Sequence, residues 1–273
     1  MASYMTALVC ILTIALANIV CGYWMDKTLD IKEEWNVGGL INANPTDTEK
    51  YPFMVSIKSE GTHICSGAML TQVYVITNAR CLEMWQESSS AKNLTVVTGS
   101  SILQCGGKAY NVDKIFFHDE YAKNTDYVGD YMHNIALIRV EKIMEYNSLQ
   151  WPVKLPNCKD PPPSCERAEN VDWGMLYKDG PVSNNLQVSY PFQSDRWKCQ
   201  GDYYETIKIA PGDFCLFTGV KVGTCHGSFG GSVMCKNYLI GITSGVTSCY
   251  LELPLIATDI CSHYKWIERI IAN

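Results

Sequence analysis

The chain lacks a basic excess: 22 Lys and Arg stand against 28 Asp and Glu, a formal charge of −6. That balance argues against a footprint for nucleic acid or for an anionic membrane surface. The Cys-x-x-Cys and His-spaced ligand sets of zinc sites are missing too, so no metal and no cofactor are expected. Beyond the N-terminal segment no apolar run is long enough to cross a bilayer. No extended helical period runs through the first half of the sequence, which excludes a helical bundle there.

What is present is cysteine, thirteen in 273 residues, together with 47% hydrophobic residues. So many cysteines fit an oxidising compartment, and the length allows one large core or two moderate ones. Met5 to Val20 is apolar and free of charge. It is short for a membrane span and reads as the hydrophobic part of a secretory signal. Residues 1–22 are assigned to that signal, with cleavage after Ala17 or Gly22; only the first choice retains Cys21. A charged leader follows over residues 23–35, and the product is expected to be secreted and extracellular.

From Pro52 the pattern turns to short strands. Phe53–Lys58 alternates, Val73–Thr77 is β-branched and aromatic, and Asn93–Gly99 and Ile135–Val140 follow. Asn93 opens an Asn-Leu-Thr sequon, a candidate glycosylation site in a secreted chain. Residues 146–170 hold Pro152, Pro156 and the run Pro161–Pro163, which cannot lie inside a sheet or a helix. They are read as a connection between two β modules. Leu186–Tyr190, Ser232–Cys235 and Tyr238–Ser244 resume the strand pattern. At the end, Trp266, Ile267, Ile270 and Ile271 share one helical stripe and predict a docked terminal helix.

Four stretches carry a resemblance. Thr224-Cys225-His226-Gly227-Ser228-Phe229-Gly230-Gly231-Ser232 is similar to the nucleophile loop of chymotrypsin-like and trypsin-like serine proteases. Thr77-Asn78-Ala79-Arg80-Cys81 resembles their Ala-Ala-His-Cys block, with Cys65 upstream at the family spacing. His133-Asn134-Ile135-Ala136-Leu137-Ile138 resembles the segment bearing the orienting Asp, and Asn36-Val37-Gly38-Gly39 resembles the mature start. The resemblance implies an all-β fold of two packed six-stranded antiparallel β-barrels with a C-terminal helix. On this reading the trypsin-like domain spans residues 36–273: first barrel 36–145, connection 146–170, second barrel 171–260 and helix 262–272.

The same resemblance places Arg80 at the general base, Asn134 at the orienting carboxylate and Phe229 at the nucleophile. Phenylalanine has no lone pair to attack a carbonyl, and a guanidinium has none free to take a proton near neutrality. Neighbouring His133 is expected to point away from Asn134 into solvent. The activation pair is altered at both ends, with Asn36 where Ile is usual and Ser228 where an Asp would receive the new ammonium. In the specificity pocket Gly223 supplies no charge, while Val246 and Leu255 replace bare backbone and are expected to fill the slot.

Family spacing further implies disulfides Cys65–Cys81, Cys158–Cys261, Cys165–Cys235, Cys199–Cys215 and Cys225–Cys249. Asn42 and Val188 stand where a further family bridge would be. Cys105 has no family counterpart. It is taken as an unpaired buried thiol, with a bond to a retained Cys21, or to a second chain in a dimer, as the other readings.

The resemblance extends to the inactivated serine protease paralogues of scabies mites. It implies a secreted, non-catalytic homologue that binds extracellular proteins and interferes with host defence such as complement. The alternatives are a decoy or cofactor of an active protease and, last, a hydrolase with a non-standard site. The loops Tyr121–Tyr131 and Arg196–Ala210 offer aromatics and charges for a partner but no motif.

Overall fold

Two β modules and a closing helix make up the fold. The computed structural model describes residues 43–85, 91–123, 131–159, 165–174, 182–194, 196–202, 209–217, 229–245 and 254–272. A two-residue strand, β1 (Asn44–Pro45), precedes the first module. That module contains β2 (Met54–Ser59), β3 (Thr62–Met69), β4 (Tyr74–Thr77), β5 (Leu94–Thr98) and β6 (Lys108–Phe117), the short β7 (Ala122–Lys123) and β8 (Tyr131–Met132), and β9 (Ala136–Val140). Six of these close into an antiparallel barrel in the order β2-β3-β4-β9-β6-β5.

The second module contains β10 (Glu169–Asp172), β11 (Gln187–Ser189), β12 (Phe192–Ser194), β13 (Asp213–Phe217), β14 (Ser232–Cys235), β15 (Tyr238–Gly245) and β16 (Leu255–Asp259). With β1 added at one edge they form a single curled sheet, ordered β1-β11-β10-β14-β15-β16-β13-β12. Its far edge returns to β10. Arg167 bridges Phe192, and Ala168 N–H donates to the Pro191 carbonyl at 2.9 Å. The expected second barrel is thus a sheet bent round until β12 lies beside the start of β10.

Alternation explains why the strands read as almost continuous apolar runs. In β4 all four residues are buried. Val75 belongs to the interior of the first barrel with Val55, Ile57, Leu94, Val96 and Ile138. Its neighbour Ile76 faces the other way, into a core shared with Met54, Leu137, Val171, Trp173, Met234 and Ile242. Successive side chains point to opposite faces of a strand, so a strand buried on both faces loses its polar half. The second module has its own cluster around Phe214, Leu216, Val233, Ile240 and Leu255. Each such side chain contributes about 1.5–3 kcal/mol on burial.

The terminal helix, α2, runs Ile260–Ile271, after the short α1 (Arg196–Asp202). Asp259 caps it, accepting a hydrogen bond from Ser262 N–H at 2.6 Å and so satisfying an orphan donor of the first turn. Ile260, Trp266 and Ile267 enter the shared core, with Ile270 and Ile271 packed against it. The stripe expected for this helix is therefore its docked face.

Four expected disulfides are present. Cys65–Cys81, Cys158–Cys261, Cys165–Cys235 and Cys199–Cys215 join α-carbons 6.3, 5.1, 5.9 and 5.8 Å apart. Cys158–Cys261 ties the connection to α2, a closure of 103 residues. Cys225 and Cys249 lie outside the described residues, as do the signal, the leader and Pro161–Pro163. Cys105 departs from its expected free state: it is disulfide-bonded, and its partner lies outside the described residues. The family pattern places no bridge there, so pairing by resemblance left this sulfur over. No described helix is long and apolar enough to cross a membrane.

Candidate functional site

The three positions that the resemblance assigns to catalysis converge where the two modules meet. Arg80 opens a 3-10 turn, Arg80–Trp85, directly after β4. The approach to that turn is pinned from several sides. Thr77 Oγ1 donates to the Ser66 carbonyl at 2.6 Å, Asn78 Nδ2 donates to the Thr243 carbonyl at 3.2 Å, and Asn78 Oδ1 accepts from Cys81 N–H at 3.3 Å. The Cys65–Cys81 bridge fixes its other side.

Asn134 lies just before β9 and is buried. Its Oδ1 accepts a hydrogen bond from the Arg80 backbone N–H at 2.9 Å. The oxygen that would orient a base is thus engaged by the backbone at the base position, and the side chain there is a guanidinium. That guanidinium stands over the Phe229 ring, 5.4 Å from its centroid. A cation over a ring face at this range is worth about 0.5–1 kcal/mol where partly exposed. Phe229 is half-buried.

The loop that carries Phe229 is held firmly. Its carbonyl accepts from Ser66 N–H at 2.9 Å, and Gly230 N–H donates to the Thr243 carbonyl at 3.0 Å. Gly231 N–H donates to Thr243 Oγ1 at 2.8 Å. Gly230 has φ +81°, and a Cβ there would meet the Ser66 carbonyl oxygen at 2.0 Å. Only glycine fits.

Asp172 was not singled out by its sequence. It sits in β10 with its carboxylate fully buried, accepting from Ser66 Oγ and from Trp173 N–H at 2.7 Å. It lies against Gly231, where a Cβ would meet Asp172 Oδ2 at 2.8 Å. This polar strut joins the first barrel to the second behind the Phe229 loop. Its strand, Glu169-Asn170-Val171-Asp172, is polar at three of four positions, so no break in an apolar run marked it.

His133 departs from expectation. It is only partly exposed and has φ +52°, a left-handed turn that swings its ring onto His118. Extended backbone would have sent it into water; the positive φ does not. Of the pocket positions, Leu255 is described: it pairs with Leu216 across β13 and β16 and is buried in the second module's core. Gly223, Val246, Asn36 and Ser228 lie outside the described residues. Asn93 is exposed in the turn before β5, accessible for modification.

A closed six-stranded barrel, a second curled antiparallel sheet and a docked C-terminal helix define the chymotrypsin-like serine protease fold. The trypsin family model matches residues 40–267, and the chain belongs to that family. Chymotrypsin-2 of Vespa crabro is 29% identical over 230 residues, 84% of this chain and 99% of that protein. Trypsin 5G1 of Aedes aegypti is 26% identical over 277 residues, 97% of this chain and 99% of that protein. Among solved structures, the scabies mite inactivated protease paralogue S-D1 gives a TM-score of 0.73 at 22% identity, covering 86% of this chain and 97% of that one. Neuropsin, a serine protease expressed in the limbic system of mouse brain, gives 0.71 at 24%, covering 84% and 99%. These two likenesses speak to the fold.

Proposed function

We propose that this chain is a secreted trypsin-family protein without peptidase activity that acts by binding other extracellular proteins. The observation that carries the reading is the set Arg80, Asn134 and Phe229 brought into one cleft. Acyl transfer by this fold needs an attacking oxygen, a base that takes its proton and a carboxylate that orients the base. Phe229 supplies no oxygen and Arg80 takes no proton near neutral pH. Asn134 is neutral, and its Oδ1 is already bonded to the Arg80 backbone.

The altered activation pair, Asn36 and Ser228, and the filled pocket expected from Gly223, Val246 and Leu255 belong to the same reading. What survives is a rigid, disulfide-tied scaffold. Such a scaffold suits recognition through its outer surface. Host defence, complement first, is the target that the sequence resemblance implies. The test is complement-mediated lysis in the presence of the purified chain. Dose-dependent protection with every complement component left uncleaved on a gel is the expected result. Protection accompanied by cleavage would contradict the non-catalytic part, and no protection would contradict the complement part.

A further inference from the structure

Away from the cleft, three of the five histidines of the chain meet. His118 follows β6, His133 lies between β8 and β9, and His263 is in the first turn of α2. Their candidate ligand atoms all lie within 4.8 Å of one another. We propose that His118, His133 and His263 form a zinc-type divalent metal site that fastens the first barrel to the terminal helix.

The ring nitrogens turned away from the cluster carry the outer contacts that such a site uses. His263 is buried, and its Nδ1 lies 2.8 Å from the Asp259 carbonyl. A carbonyl only accepts, so the proton sits on Nδ1 and the Nε2 lone pair faces the cluster. That Nε2 is 3.1 Å from His133 Nδ1. Nitrogens sharing a tetrahedral zinc at about 2.0–2.1 Å stand roughly 3.3–3.4 Å apart, so this pair needs almost no movement. On the far side of His133, Nε2 is 3.6 Å from the Glu120 carboxylate. Once a metal takes Nδ1, the proton moves to Nε2 and faces that carboxylate, giving a carboxylate–histidine–metal arrangement.

His118 has to move. Its ring is stacked on His133, centroids 4.4 Å apart at 9°, and parallel rings cannot both point a lone pair at one ion. Its Nδ1 accepts a 3.2 Å hydrogen bond from Glu120 N–H, which binding through either nitrogen releases. Being partly exposed on a loop, it can make the turn of about 1.5 Å that closes the site. Water or Glu120 completes the coordination. Positive φ at His133 fits the same design, because it is the backbone turn that brings that ring to the other two.

The test uses the full chain, dialysed against chelator and titrated with Zn2+ by calorimetry and with Co2+ by visible absorption. One ion per chain is expected, with cobalt d–d bands of four or five ligands and no sulfur-to-cobalt charge-transfer band. His118→Gln and His133→Asn, both at partly exposed positions and each checked for native circular dichroism, should each weaken binding at least about 100-fold. Glu120→Gln should weaken it about 10-fold. Zn2+ should raise the melting temperature of the wild type and of neither histidine variant. Absence of cobalt bands in the wild type, or binding that survives both histidine substitutions, would overturn the proposal.

Discussion

Replacing Gly230 with alanine should cost far more than the same change at Gly61, although both have φ +81°. At Gly230 the new Cβ would lie 2.0 Å from the Ser66 carbonyl oxygen and 2.5 Å from Thr77 Oγ1. Neither neighbour can retreat. Ser66 lies inside β3, registered on Ser56, and Thr77 Oγ1 is hydrogen-bonded to that same carbonyl. The loop must withdraw, breaking Ser66 N–H to Phe229 and Gly230 N–H to Thr243. Two hydrogen bonds at about 0.5–1.5 kcal/mol each, plus about 1–2 kcal/mol for alanine in the left-handed region, give roughly 2–5 kcal/mol. At Gly61 no atom lies within 4 Å, so only the conformational cost of about 1–2 kcal/mol applies. Urea unfolding with disulfides intact is the assay, and the Gly230→Ala midpoint should fall by about 1 M or more. Equal midpoints for the two variants would refute the claim that the Phe229 loop is braced against β3.

Acid should weaken the fold partly through His63, which burial and the nearby Lys58 charge hold down to about 4. Above its ordinary value of 6.5 the folded and unfolded states bind the same protons; below it only the unfolded chain gains one. Stability is therefore lost as pH falls from 6.5 to 4, by about 2 kcal/mol at pH 5. His63→Gln should flatten that part of the pH–stability curve, and an unchanged curve would contradict the assignment. Asn134→Ala strands the Arg80 N–H in the cleft and should cost about 1–3 kcal/mol by denaturant melting. Alkylation of the denatured, unreduced protein should leave Cys105 unmodified in peptide mass spectrometry; a labelled Cys105 would restore the free-thiol reading.

Much of the fold was legible because it is local. The β-branched runs at Val73–Thr77 and Ile135–Val140 became strands, and the Trp266–Ile267 stripe became the docked face of α2. Arg80, Asn134 and Phe229 were singled out by their places in motifs around Cys81, Ile135 and Cys225. What escaped depends on long-range approach. His263 is 130 residues from His133, so no spacing rule for metal ligands could join them. The turn at His133 that makes the meeting possible is a backbone choice that histidine permits without announcing it. Asp172 was passed over because its partner Ser66 lies 106 residues earlier in the chain. Cys105 was misjudged because its bond follows no family pattern.

The central claim is that an intact protease fold carries a cleft without chemistry. The most direct measurement is fluorophosphonate labelling, with peptide-ester and peptide hydrolysis, on the purified chain beside its Phe229→Ser variant. In that variant Arg80 still stands where the resemblance assigns the base, so neither protein should take the label or turn over substrate above the buffer rate. A labelled cleft residue in the wild type, together with hydrolysis that the label abolishes, would contradict the account.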